Sequence, residues 1–180
     1  MKIYWYFICA IAVLVLSGCT HSNPAASTIE EVMKPIAYKE IVATQESRNG
    51  AVVFYETEHG LDSGFTYKMD GGYRDFCGGG SISLTEMPKV ASSYNECVTE
   101  DKGNTERFQM FSGALTDADI EELKVQYKAG TRSIEQKAEI IDTGKGYKVW
   151  YMIPEEISPY HLDLISLEGY SSEGENIFKD

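Results

Sequence analysis

The chain has 180 residues, of which 28 are acidic and 16 basic, for a formal charge of −12 at neutral pH. That balance excludes nucleic acid as a partner and argues against direct adhesion to anionic lipid headgroups, because both depend on a basic patch. The length beyond the first twenty residues suffices for one domain or for two small lobes with a shared core.

The N-terminus carries one charge, Lys2, followed by an apolar run from Ile3 to Leu16 and then Ser17 and Gly18. This is the organisation of a secretory signal, too short and wrongly flanked for a stable membrane span. A plain anchor helix with an incidental cysteine is the competing reading, but the apolar run stops where Cys19 begins. The residues Leu16-Ser17-Gly18-Cys19 resemble the lipobox of bacterial lipoproteins. The resemblance implies that residues 1–18 are a signal peptide and that the sulfur of Cys19 receives a diacylglycerol. It also implies a protein held at the outer face of the cytoplasmic membrane, or at an outer membrane where there is one. Each buried methylene contributes about 0.8 kcal/mol, so two acyl chains hold a protein that one would not. The resemblance covers residues 1–19 and none of the following domain. Residues 19–27, with Pro24, form the lipidated cysteine and a short tether whose flexible reach is on the order of 15 Å.

Residues 28–111 are expected to form a first lobe, a helix plus an antiparallel β meander. In "STIEEVMKPIAYKE", Ser27 with Glu30 or Thr28 with Glu31 fits a capping box, and Ile29, Val32, Met33 and Ile36 recur at helical spacing. Pro35 ends or kinks this helix near Lys34. From Lys39 the period is two. Arg48-Asn49-Gly50 joins "KEIVATQES" to "AVVFYETE" with a hairpin signal, because Asn and Gly both tolerate positive φ. "GFTYKMD" and "YRDFCGGGSISL" extend the meander. No crossover helices intervene, which excludes a parallel nucleotide-binding sheet.

The polar stretch from Thr85 to Arg107 reads as an irregular excursion between lobes, with a brief strand or helical turn near Ser93 to Val98. Residues 112–180 are expected to form a second, β-sandwich-like lobe. "ELKVQY" alternates cleanly, with Leu123, Val125 and Tyr127 on one face, and "SIEQKAEII", "YKVWYMI" and "YHLDLISLEG" follow at spacings near a dozen residues. The fold class is α+β, mostly β. The pattern is similar to that of compact, partly immunoglobulin-like modules of exported bacterial proteins. The order of a short helix, an "AVVFY" strand and a late "VWY" strand resembles small lipoproteins of Gram-positive bacteria. Neither resemblance brings catalytic residues with it.

Cys77 stands before Gly78-Gly79-Gly80, and three readings compete for it. Cys77 and Cys97 are the cysteines left after Cys9 in the signal and Cys19 at the lipid site, so a bridge closing a loop of twenty positions is one. Two inert thiols are the second. The third is a nucleophile with glycine N–H groups beside it, which needs a base such as His59 or His161, His21 lying in the tether. "CGGGSISL" has neither the spacing nor the Lys-Ser ending of a phosphate loop, so the glycines are read as a bulge or a close backbone approach.

"DADIEE", Asp117 to Glu122, lacks the glycine and final glutamate of an EF-hand, since Glu122 and Lys128 occupy those positions. The histidines and thiols lack zinc spacing. Glu155-Glu156 reads as a solvated loop, and no cofactor or metal is implied. Trp150, Tyr151 and Tyr160 are the candidate binding aromatics, with burial of Trp150 the favoured account, because tryptophan in a strand of a small sandwich packs. Two function classes follow. One is a non-catalytic lipoprotein binding a surface protein or an envelope polymer. The other is an extracytoplasmic enzyme with a site assembled from distant residues such as Cys77, His59 and His161.

Overall fold

A computed structural model describes residues 25–47, 49–69, 71–101 and 104–180. The described residues are mostly β, with one short helix, α1 (Ile29–Met33), and twelve strands in three antiparallel four-stranded sheets. Sheet A is a meander of β1 (Glu40–Ser47), β2 (Gly50–Glu56), β3 (Leu61–Met69) and β4 (Gly72–Ile82). Sheet B has the order β5-β6-β10-β9, from β5 (Val90–Asp101), β6 (Asn104–Leu115), β10 (Lys148–Met152) and β9 (Glu139–Asp142). Sheet C has the order β12-β11-β7-β8, from β12 (Asn176–Lys179), β11 (Leu162–Tyr170), β7 (Glu122–Ala129) and β8 (Arg132–Lys137).

The layers stack as helix, A, B, C, with sheet B in the middle. Phe108, Met110, Ala114, Val149 and Tyr151 of B pack against Val52, Phe54, Leu61 and Phe65 of A. Phe111, Leu115, Trp150 and Met152, the alternate residues of the same strands, pack against Leu123, Val125, Tyr127, Leu162 and Leu167 of C. Successive side chains point to opposite faces, so a strand covered on both faces loses its polar alternation, and every residue from Phe108 to Leu115 is buried. The outward strands of sheet C keep it: β7 alternates half-buried and buried residues with Leu123, Val125 and Tyr127 inside.

The division into lobes at residues 28–111 and 112–180 does not follow these sheets. Its boundary falls within β6; β10 returns to pair with β6, and β9 pairs with β10. The excursion expected at 85–107 is likewise ordered: β5 pairs with β6 from Val90↔Leu115 to Asp101↔Asn104. The run "SIEQKAEII" divides at Ala138, which leaves β8 in sheet C, donates its N–H to the Leu123 carbonyl at 2.8 Å and starts β9 in sheet B.

α1 is shorter than the expected two turns. Thr28 caps it by accepting the Glu31 N–H at 3.3 Å, while the Glu31 carboxylate reaches back to the Ser27 N–H at 2.8 Å and hydroxyl at 2.7 Å. Pro35 follows directly on Lys34, the C-cap. Met33 of α1 is buried against Val53 and Tyr55 on the outer face of A. In the β1–β2 hairpin Ser47 pairs with Gly50, so Gly50 opens β2, and Arg48 lies outside the described residues. Gly50 is required by packing, because a Cβ there would strike the Thr66 carbonyl and the Phe65 ring.

Candidate binding surface

The cysteines come together. Cys77 of β4 and Cys97 of β5 form a disulfide with Cα atoms 6.2 Å apart, joining the edge strand of sheet A to that of sheet B. With the bond made Cys77 has no thiol to act as a nucleophile. The glycines beside it serve the same junction. The pairing of β3 with β4 shifts between Leu61 and Ser63, and a Cβ on Gly80 (φ +87°) would collide with Ser93 of β5. Asn95 of β5 donates to the Ser63 hydroxyl at 2.9 Å, and Ser63 and Ser112 share a hydrogen bond of 2.7 Å. All three side chains are buried, so this polar inclusion between A and B is internally satisfied.

Trp150 is wholly buried: its ring lies across Gly113 on the neighbouring strand and its Nε1 donates to the Ala91 carbonyl at 3.0 Å. Tyr151 is buried in the A–B core. Of the three candidate aromatics only Tyr160 presents its ring to solvent, with 62% exposure.

Tyr160 belongs to the loop 153–161 between β10 and β11, which also exposes Ile157, again at 62%. Two large apolar side chains on a loop would ordinarily be mobile, but the amides of Gln109, buried, and Gln136, half-buried, hold this one. Gln109 of β6 donates through Nε2 to the Tyr160 carbonyl at 2.8 Å and to the Tyr94 hydroxyl at 3.1 Å, and its Oε1 accepts the Ser158 N–H at 3.0 Å. Gln136 of β8 donates to the Ile153 carbonyl at 2.8 Å and accepts the Glu155 N–H at 3.3 Å. Ser158 Oγ accepts the Tyr160 N–H at 3.1 Å. The Tyr160 ring rests against Gly130 of the β7–β8 turn, where a side chain would crowd it and where φ is +63°. The loop is thus fixed from both sheets, and its apolar groups are presented rather than folded in.

Beside it, the Glu96 carboxylate accepts from Arg107 and, at 3.1 Å, from the Tyr94 hydroxyl, and lies 3.4 Å from His161 Nδ1. Tyr94, held edge-on by the His161 ring at 4.7 Å, has its hydroxyl pushed up to about 12, chiefly by burial. His161 is exposed at the head of β11, whereas His59 lies in the turn between β2 and β3, where its N–H donates to Thr57 Oγ1 at 3.2 Å. No described contact joins either histidine to Cys77. Cys19, His21 and the signal-like segment lie outside the described residues.

The acidic turn after β6 holds an internal cation. Lys148 Nζ donates to the carbonyls of Ala118 and Ile120 at 3.0 and 3.1 Å and pairs with Glu121 at 2.8 Å, while Lys89 takes Asp117 at 2.9 Å. The same lysine borders a cleft of about 410 Å³ lined by Glu121, Lys137, Glu139, Ile140 and Asp142. No cluster of three or more His, Cys, Asp or Glu able to hold a metal occurs among the described residues, and no helix there is long and apolar enough to cross a membrane.

The sequence pointed to Tyr160 and His161 through residue type alone. It gave no sign of Gln109, Gln136, Tyr94 or Glu96, whose roles depend on pairing between distant strands. No family model, curated protein or solved structure matches the chain.

Proposed function

We propose that the protein is a membrane-anchored extracytoplasmic lipoprotein whose layered β domain works as a non-catalytic binding module. The observation that carries the anchor is the stretch Leu16-Ser17-Gly18-Cys19, placed where an apolar run ends. The disulfide between Cys77 and Cys97 supports export, since such bonds persist in oxidising compartments. A binding role is favoured by Ile157 and Tyr160, exposed on a loop that two glutamines immobilise.

The test is metabolic labelling of the full chain in a bacterial host with an alkyne-bearing palmitate, followed by flotation of membranes. The label and the protein are expected together in the floating fraction, and Cys19→Ser is expected to lose both. An unlabelled wild-type chain, or labelling that survives Cys19→Ser, overturns the anchor.

A further inference from the structure

The two ends of the layered domain differ in their contacts. Glu56, the last residue of β2, meets Lys145 and Tyr147 of the β9–β10 turn, and farther along both sheets Phe65 stacks on Phe108, so A and B run in line. Lys148 Nζ, at the head of β10, reaches the carbonyls of Ala118 and Ile120 just before β7, so sheet C begins at the same end. At the opposite end lie Gly50 and Met69 of sheet A, the β7–β8 turn with Gly130, and the loop 153–161, into which the chain runs after Met152. Ala26 joins the fold here as well. It forms an antiparallel bridge with Tyr73 near the start of β4, donating to that backbone at 2.8 Å and accepting from it at 2.7 Å.

The exposed apolar groups gather at this end. Four large hydrophobic side chains are exposed among the described residues: Val98, Ile157, Tyr160 and Ile165. Ile157 and Tyr160 stand on the loop 153–161, with the Tyr160 ring against Gly130. Val98 follows Glu96 on the same face of β5, and Glu96 lies 3.4 Å from His161, so Val98 continues the surface of that loop. Of the four, Ile165 alone lies elsewhere, in the β11 bulge between Leu164 and Ser166.

We propose that this end of the domain rests on the bilayer, with Ile157 and Tyr160 inserted at the level of the lipid headgroups and Val98 beside them. The occupant follows from the position of Ala26. It stands seven positions after Cys19, and seven residues in any conformation span at most about 25 Å, less than the roughly 30 Å of a nine-residue strand such as β3. An acyl chain on Cys19 is therefore tied to this end of the sheets. Tyrosine suits an interface, because its ring is apolar and its hydroxyl stays with the headgroups. The loop is already fixed by Gln109 and Gln136, so insertion costs it little freedom. The lipid selected is zwitterionic. Glu155 and Asp163 are exposed beside the two side chains and the chain carries −12, so an anionic surface repels this end where phosphatidylcholine does not. The inference deepens the binding-module reading by naming what the loop meets, and it rests on the anchor at Cys19.

Two variants report on the contact. Tyr160→Trp puts an indole on the patch, and Ser172→Trp puts one on the exposed β11–β12 turn at the opposite end. Each full chain, expressed with alkyne-bearing palmitate so that its lipid is detected, is reconstituted into phosphatidylcholine vesicles with brominated acyl chains. The wild type, with Trp5 and Trp150, supplies the baseline. Bromine is expected to lower the emission of the indole at position 160 at least about twofold and to leave that at 172 unchanged. Adding Ile157→Asp to the Tyr160→Trp chain is expected to abolish the quenching, with far-UV circular dichroism matching the wild type. Labelled protein with no quenching at 160, or with equal quenching at both positions, overturns the docking and leaves the anchor standing. Absence of label overturns the anchor and the docking with it. Emission at 160 that depends on protein concentration and not on bromine would assign the patch to a second copy of the chain and overturn the proposal too.

Discussion

The two faces of sheet B are held by different means. Toward sheet C the centre of the contact is apolar, with Trp150, Phe111, Leu123 and Val125 packed together and the indole N–H satisfied by a backbone carbonyl. Toward sheet A the contact includes Phe65 stacked on Phe108 at 4.0 Å, but also the buried Ser63–Ser112–Asn95 cluster and a covalent bridge at the edge. A polar cluster contributes little net stability even when satisfied, because its hydrogen bonds replace those to water. The A–B contact therefore adds a disulfide and peripheral ion pairs to its apolar core, where the centre of the B–C contact has packing alone. The difference teaches that one central sheet can meet its two neighbours by packing on one face and by packing with a polar cluster and a covalent bridge on the other.

The largest expected effect lies on the side facing sheet C. Trp150→Ala removes the largest fully buried side chain and leaves a cavity beside Gly113, at a cost of about 3–5 kcal/mol. Urea unfolding monitored by far-UV circular dichroism measures it. A loss below about 1 kcal/mol would mean that the B–C layers collapse to fill the gap and are less tightly matched than their burial implies.

Next comes the staple. Reducing the Cys77–Cys97 bridge, or replacing both residues by serine, is expected to cost about 3 kcal/mol for a closed loop of this length. The location of the loss sharpens the comparison. Hydrogen exchange should accelerate in β3 and β4 while the amides of β7 and β11 keep their protection, because only the A–B contact is stapled. Equal acceleration in all three sheets would show that the layers unfold as one unit.

The same contrast explains what the sequence allowed. β7 was legible because sheet C faces solvent on one side, so Leu123, Val125 and Tyr127 alternate with charged residues. β5 was read as irregular because its inward positions include Asn95 and Cys97, residues that satisfy a polar cluster and a bridge instead of an apolar core. The lobes were divided inside β6 because nothing local announces that β10, more than thirty residues later, returns to pair with it. Cys77 and Cys97 were legible as a pair by counting, and Tyr160 as a candidate binding aromatic by type. Trp150 was readable as buried from its place in the strand run "YKVWYMI", and the third layer is what buries it.

The smallest expected effect concerns the ion pairs at the rim of the A–B contact. Glu56 at the end of β2 accepts from the Tyr147 hydroxyl at 2.9 Å and from Lys145 at 3.1 Å, and Lys145 also reaches Glu40. Burial alone would push the Glu56 carboxyl up, but the hydrogen bonds from Lys145 and Tyr147 outweigh it and hold the group below its ordinary 4.5. A carboxylate whose pKa is lower in the folded state stabilises the fold above its unfolded value, and that stabilisation is lost as the pH falls through the folded one. Tyr147 has the opposite sign. Burial and then the Glu56 hydrogen bond raise its hydroxyl above 10.0, so its contribution is present below that pH and lost as the pH rises further. Tyr147→Phe, which removes a hydrogen bond to a charged acceptor at a partly buried site, is expected to cost about 1 kcal/mol at pH 7. The cost should shrink as the pH drops below about 4.5 and Glu56 takes up a proton. Urea midpoints of both proteins between pH 3 and pH 8 measure this. Parallel curves throughout would mean that the tyrosine contributes by packing alone, and would leave the apolar core and the disulfide to hold the A–B layers.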